Sequence, residues 1–282
     1  MTPHAAEQPA EASPYLHGTA PDEQHRLALL NDLMNVRCLD AIAPTRGERV
    51  LDVGSGLGQM TRALARATGV RALGIERNSQ QLSAARRLAD ADNEADMAEF
   101  RAGDAASIPL RESEVGMFDL VHARFVLEHV PDPLAVVREM AAAARPGGRV
   151  VLLDDDHDLL RVWPEIPGLG PIWAAYIRTY DRLGCDPFVG RRLVQLLHQA
   201  GARPVRNRWV WFGACAGDPE LPQFVGNLLG VLRTAAPLML EAGMVEQGAL
   251  TALESAARDW AHRPDASLWF AVAMAVGVRP SV

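Results

Sequence analysis

The apolar positions of this chain change rhythm several times, and the changes divide it into elements. Leu27, Leu30, Met34 and Leu39 recur at helical spacing behind Asp22 or Thr19 as a cap, which predicts an N-terminal helix. Val50, Leu51 and Val53 read as a short buried strand, and helix-forming residues resume at Thr61–Ala65. Apolar strand patterns then recur at Leu73–Glu76, Phe100–Ala102, Phe118–Val121 and Val150–Leu153, with helical stretches between them. Strands alternating with helices predict a parallel α/β sheet. Beyond it, Trp173, Tyr176, Ile177, Tyr180 and Leu183 share one face of a predicted helix, and Phe188–His198 reads as another that stops at Gly201. Arg206–Phe212 alternates as a strand, residues 216–264 are helical and rich in alanine and leucine, and Ser267–Val278 reads as a last apolar strand.

The loop after the first strand carries Gly54, Gly56 and Gly58, with Asp52 two residues ahead of the first glycine. A strand that runs through glycines into a helix brings bare backbone against a nucleotide-like ligand. A dinucleotide fingerprint G-x-G-x-x-G would need a third glycine where Gln59 stands. The pattern here is D-x-G-x-G-x-G instead. An acid, Glu76, closes the second strand 18 residues beyond Gly58, and Gly103-Asp104-Ala105 closes the third. Phe118-Asp119-Leu120-Val121, Leu127-Glu128-His129-Val130 and Arg145-Pro146-Gly147-Gly148 follow in order.

Across residues 50–153 these motifs resemble the class I S-adenosylmethionine (SAM)-dependent methyltransferases, in particular the UbiE/Coq5-like small-molecule group. The resemblance implies a Rossmann-like sheet of order 3-2-1-4-5-7-6 with helices on both faces and SAM as cofactor. It also implies Asp52, Gly54, Gly56, Gly58, Gln59, Glu76, Arg77, Asp104, Ala105 and Arg124 around that cofactor, with Glu76 on the ribose and Asp104 on the adenine edge. Tyr15-Leu16-His17-Gly18 and the later Glu23–Leu27 run resemble the N-terminal helix that, in related enzymes, folds over the SAM pocket. Tyr15 and Arg26 are thereby expected near the ligand's carboxylate end, and His17 at the acceptor. The organisation implied is a disordered lead-in at 1–14, a helical lid at 15–48, and a SAM-binding domain at 49–282. That domain carries helical cap elements at about 160–200 and 216–264. The second cap is an unusual insertion between the last two strands, and would cover the acceptor site or form an oligomer interface.

Composition narrows the partner. A net charge of −7, with all 28 basic residues arginines spread along the chain, lacks the basic face that displaces counterions from phosphates. A small-molecule acceptor is expected, and nucleic acid is not. The apolar stretch Phe224–Leu240 contains Arg233 and Pro237, so no membrane span is expected. The acidic, proline-containing start lacks a signal peptide's pattern, and Cys38, Cys185 and Cys215 form no CxxC pair. A cytoplasmic protein is expected, with a homodimer left open.

Methyl transfer from a sulfonium is an in-line displacement, so alignment supplies much of the rate and a base is needed only for a hydroxyl or carbon acceptor. His129, after the fourth strand, and His157, in Asp154-Asp155-Asp156-His157-Asp158 after the fifth, are the candidate catalytic residues. Trp173, Tyr176 and Tyr180 are candidates for the substrate pocket, because their helix follows a strand's C-terminal end, where open α/β sheets bind ligands. Neighbours on an extended segment point in alternating directions, so the acidic run is expected to hold no metal. The competing readings are an NAD(P)-dependent oxidoreductase and a non-catalytic SAM-binding scaffold. Gln59 and the absence of any lysine oppose the first, and the intact motif opposes the second.

Overall fold

The computed structural model describes residues 21–281, and within the first helix the side chains of 21–25, 27–29 and 32 lie outside the description. Tyr15, His17 and the expected lead-in at 1–14 therefore lie outside the described residues. Four parallel strand pairs build the centre of one sheet. β1 (Val50–Val53) lies between β2 (Ala72–Glu76) and β4 (Phe118–Arg124), β3 (Ala98–Ala102) flanks β2, and β5 (Ala144–Asp155) flanks β4. Every residue of β1 and β2 is buried, as expected of parallel strands covered on both faces.

The far half of the sheet is antiparallel. β8 (Ser267–Val278) pairs with β5, and β7 (Arg203–Cys215) pairs along the other edge of β8. The main order is therefore 3-2-1-4-5 followed by the last strand and the one before it, as the family pattern implies. One strand is additional. β6 (Arg161–Trp163) rejoins β8 beside residues 267–269, after the chain has left the sheet between Asp156 and Leu160. That excursion contains a single 3₁₀ turn, His157–Leu159, whose start is capped when the Asp156 carboxylate accepts the Asp158 N–H.

The two sheet faces are covered differently. α4 (Pro133–Ala143) and α6 (Leu193–Gln199) pack Val136, Val137, Met140, Leu196 and Leu197 against Leu51, Val121 and Val150. On the opposite face lie α1 (Pro21–Ile42), α2 (Gln59–Thr68), α5 (Leu169–Leu183), α7 (Leu221–Glu241) and α8 (Gln247–Trp260). α3 (Ser79–Ala91) packs Leu82, Ala85 and Ala89 on Phe100 of β3, and Asn78 caps its start by accepting the Gln80 and Gln81 N–H groups. The 216–264 segment thus forms a helical hairpin, and its first helix crosses both α1 and α5 over the C-terminal ends of the strands. Among the described residues no helix is long and apolar enough to cross a membrane.

Candidate active site

Two cavities open above the strand ends and share Phe125 and His129 in their walls. The larger, about 680 Å³, runs along the ends of β3, β2, β1 and β4. Asp52, Gly54, Gly56, Gln59, Glu76, Arg77, Asp104, Ala105 and Arg124 line it, which brings together most of the residues expected at the cofactor. Gly58 does not face this cleft. A Cβ there would lie 2.4 Å from Phe100 Cζ, so its missing side chain lets α2 start against β3. At Gly54 a Cβ would lie 2.3 Å from Val126 Cγ2, and φ is +71°; this glycine lets the loop pass under the β4 exit.

Glu76 is held for recognition of a diol. Its Oε2 accepts the Gly56 N–H at 2.9 Å and its Oε1 accepts the Asn78 N–H at 2.7 Å, which fixes the carboxylate at the cleft wall. Burial pushes its carboxyl up, against the pull of the Asn78, Gly56 and Arg77 N–H groups and of the Arg77 charge. Asp104 is exposed toward the cleft mouth, with its Oδ1 accepting the Ala106 N–H. Asp52 is committed internally: Oδ1 meets His122 Nδ1 at 2.7 Å and Oδ2 accepts the Thr61 hydroxyl at 2.6 Å. Glycine-lined backbone, a fixed acid at the second strand end and a further acid at the third fit a nucleoside carrying an amino-acid tail. By that chemistry the donor set fits SAM.

The smaller cavity, about 130 Å³, lies under the helical cap. Leu30, Leu160, Phe224, Leu228, Val231 and Phe270 give it apolar walls, while Glu128, Asp155, Asp156 and His157 close one end. Trp173 and Tyr176 line it, whereas Tyr180 stands in the layer behind. Arg26, expected at the cofactor, is found in this cavity instead. α1 crosses α7 here, so the guanidinium donates to Asn227 Oδ1, and Gly230 leaves room for its stem.

The acidic end is one hydrogen-bonded cluster. His157 Nε2 and the Tyr180 hydroxyl both approach Glu128 Oε2, at 3.1 and 2.9 Å, and the Tyr176 and Tyr180 hydroxyls lie 2.9 Å apart. Trp173 Nε1 donates to the His157 carbonyl, and the Trp173, Tyr176 and Tyr180 rings surround the imidazole edge-on at 5.4–5.5 Å. Burial opposes a proton on His157, but the hydrogen bond and charge of Glu128 outweigh it and raise the imidazole's pKa. Burial likewise pushes Glu128 up, yet His129, His157 and Tyr180 hold it well below the usual carboxylate range. His129, with Nε2 3.6 Å from Glu128 Oε1, is shifted down by burial. Asp155 is pushed up to about 7 by burial and by the charge of Glu128.

The run 154–158 does not alternate throughout, because His157–Leu159 form a 3₁₀ turn. Asp154 turns back to accept the Val126 and Leu127 N–H groups, and Asp156 takes a two-pronged ion pair from Arg191 at 2.7 and 2.5 Å. The sequence reading missed the third contributor. Glu128 arrives from the 3₁₀ turn after β4, so Glu128, Asp155 and His157 present ligand-type atoms within 4.8 Å of one another. Its only sequence signal is its place in the Leu-Glu-His-Val motif.

The chain matches the family described as "Methyltransferase domain" over residues 23–207. It is 37% identical over 133 residues to the ubiquinone biosynthesis O-methyltransferase of Neisseria meningitidis serogroup C, covering 46% of this chain and 54% of that one. To the chloroplastic tocopherol O-methyltransferase of Arabidopsis thaliana it is 37% identical over 118 residues, 42% and 33% of the two chains. The chain thus spans about half the length, or less, of these curated relatives. Among solved structures it resembles the [4+2]-cyclase SpnF, with a TM-score of 0.59 and 19% identity over 97% of this chain and 99% of that one. It also resembles the geranyl diphosphate C-methyltransferase of Streptomyces coelicolor A3(2), determined with Mg²⁺, geranyl diphosphate and S-adenosyl-L-homocysteine. There the TM-score is 0.54, with 14% identity over 97% and 86%. Such identities speak for the fold, which hosts more than one chemistry.

Proposed function

Because this chain belongs to the methyltransferase-domain family, we propose that it transfers a methyl group from SAM to a small-molecule acceptor bound under the α1–α5–α7 cap. The observation that carries this reading is the meeting of the two cavities at Phe125 and His129. One cavity has the acids and bare backbone suited to a nucleoside, and the other is apolar with a single proton-handling end. SAM, when bound, supplies an electrophilic methyl on a sulfonium. The residues of this chain supply alignment, and alignment alone is worth up to roughly 7–11 kcal/mol of barrier. Glu76, Asp104 and the Gly54–Gly56 backbone hold the nucleoside, and Arg124 faces the amino-acid end.

The acceptor cavity has room for one ring-sized group, since an engineered apolar cavity of about 150 Å³ takes up benzene. A hydroxyl on that ring, pointing at the acidic end, would meet His157. Glu128 accepts the Nε2 proton of His157, so Nδ1 keeps the lone pair that takes a proton from the acceptor. Tyr180 donates to Glu128 and is itself held by the Tyr176 hydroxyl; burial keeps both hydroxyls protonated, so they brace the site rather than react. His129 stands at the junction and excludes water from it. Glu128 is a positioning residue in this scheme and His157 the catalytic base.

Native mass spectrometry of the purified protein tests the reading. Co-purified or added S-adenosylhomocysteine should appear as a bound mass, and NAD should not. Binding of NAD with no binding of S-adenosylhomocysteine would overturn the methyltransferase assignment.

A further inference from the structure

Four of the six tryptophans stand exposed together, and neither cavity uses them. Trp163 is 65% exposed, Trp211 55%, Trp269 39% and Trp209 36%. Strand register gathers them on one sheet face. Trp163 pairs with Ser267, Trp211 with Ala271 and Trp209 with Ala273, and residues 267, 269, 271 and 273 point to the same side of β8. Helices α4 and α6 cover that side around Ala273, Ala275 and Gly277, and the indoles occupy its other end. Indoles carry large apolar surfaces, so several left in solvent at one place mark a surface that a partner covers.

The same place is a free sheet edge. Among the described residues β8 is the one strand paired with β7. The outer edge of β7 is bounded at both ends. At one end the Cys215 N–H donates to the Asp218 carboxylate and its carbonyl accepts the Asp218 N–H; at the other the register breaks between Pro204 and Arg206. Cys215 therefore points its main-chain groups away from β8, and so does Trp211, whose carbonyl takes Arg37 Nη1 at 3.2 Å. Main-chain direction alternates along an antiparallel strand, so Asn207, Trp209 and Gly213 point outward as well. The Arg37 contact fills one of two lone pairs on one carbonyl, and the rest of the edge has no protein partner among the described residues. Such an edge is a template for another strand.

We propose that two copies of this chain form a dimer by antiparallel pairing of their β7 edges about a twofold axis at Val210. That residue is the midpoint of the open edge, Arg206–Ala214. Pairing about it sets Trp209 opposite the partner's Trp211, Asn207 opposite the partner's Gly213 and Arg208 opposite the partner's Phe212. No arginine meets an arginine, as Arg208 would in pairing about position 208. Outward N–H and C=O groups of one copy then meet those of the other, and the indoles of both copies close over the seam on one face. At roughly 250 Å² for a whole side chain, the exposed parts of Trp209, Trp211 and Trp269 come to about 300 Å² per copy. A stable dimer takes about 800 Å² from each partner, which leaves the main chain and arginine stems of the edge to supply the rest. A lipid surface is the poorer occupant. Hydrocarbon has no hydrogen-bond partners for an open edge, and a chain of net charge −7 is repelled by anionic headgroups. This pairing does not depend on the identity of the methyl donor.

Sedimentation velocity of the full chain at micromolar concentration tests the dimer. Wild type should sediment at twice the chain mass. Trp209→Pro removes an outward N–H and an indole while sparing the ladder to β8, and the double variant Trp209→Lys with Trp211→Lys sets like charges across the seam. Each should weaken association by about 30-fold or more, the loss for a hot-spot tryptophan, with an unchanged far-ultraviolet circular dichroism spectrum. Monomeric wild type, or a dimer that both variants leave intact, would overturn the proposal. So would wild type that stays monomeric and is drawn onto vesicles of phosphatidylcholine and phosphatidylglycerol. If neither variant folds, hydrogen exchange of wild type decides. The Trp209, Trp211 and Gly213 amides should be protected wherever the protein sediments as a dimer, and rapid exchange there would place the interface elsewhere and refute the pairing.

Discussion

Replacing Asp155 by asparagine should stabilise this protein, increasingly as pH rises from about 4 to 7. Asp155 ends β5 beside Glu128, and burial and that neighbour push its carboxyl from 3.8 to about 7. The folded state therefore keeps the proton between about pH 4 and 7 while the unfolded chain releases it, so the folded state binds more protons in that window. Stability contributed by this group then falls as pH rises from about 4 to 7 and levels off above. At about 1.4 kcal/mol per tenfold change in acidity, the full interval is worth about 4 kcal/mol. Some of this is returned, because Asp155 also supports the proton on His157, so we take about 2–4 kcal/mol. An amide of the same shape has no charge to bury. Asp155→Asn should match wild type near pH 4.5 and melt about 5–10 °C higher at pH 8, read by calorimetry on ligand-free protein. No acceptor is needed for the assay. A melting difference that is absent, or constant across that pH range, would refute both the burial cost and the placement of Asp155 against Glu128.

Three further outcomes are expected. Glu76→Ala should weaken S-adenosylhomocysteine binding by roughly 1–3 kcal/mol in calorimetric titration, since it removes a charged acceptor from the cleft; unchanged affinity would remove Glu76 from the site. With an acceptor identified, His157→Ala should lower turnover by roughly 10²–10⁴-fold while SAM affinity stays nearly intact, measured by product formation and titration side by side. For an unprotonated amine acceptor the loss should be small and appear as weaker acceptor binding, and full activity with unchanged acceptor affinity would contradict both. Chelation with EDTA should leave activity unchanged, because His157 and Tyr180 already occupy Glu128 Oε2; activity restored only by added metal would recast Glu128, Asp155 and His157 as ligands.

What lay in the sequence by itself was whatever depends on local order. The strand-glycine-helix run from Val50 and the acids at 76 and 104 follow from spacing along the chain, and the sheet order from the family resemblance those motifs carry. In a parallel sheet, consecutive strand ends must all arrive at one edge, so Asp52, Gly54, Gly56, Glu76, Asp104 and Arg124 meet there however the loops are drawn. The final strand was legible to the residue, Ser267–Val278, because twelve residues of β-rich apolar sequence have few alternatives.

Contacts between elements distant in sequence had to wait for the tertiary structure. The break at Asp156–Leu160, which lifts His157 out of the sheet, exists because β8 is long enough to pair with β5 at one end and β6 at the other. Glu128 becomes the partner of His157 only because the exits of β4 and β5 stand side by side. The same packing sends Arg26 to Asn227 across 201 residues and makes α7 a wall of the smaller cavity. His122 and Asp52, 70 residues apart, are paired by strand register alone, which no local pattern encodes. Burial then sets the chemistry. Desolvation drives His129 down and Asp155 up, while the hydrogen bond and charge of Glu128 lift His157 against its burial, and a sequence carries no dielectric until it is folded.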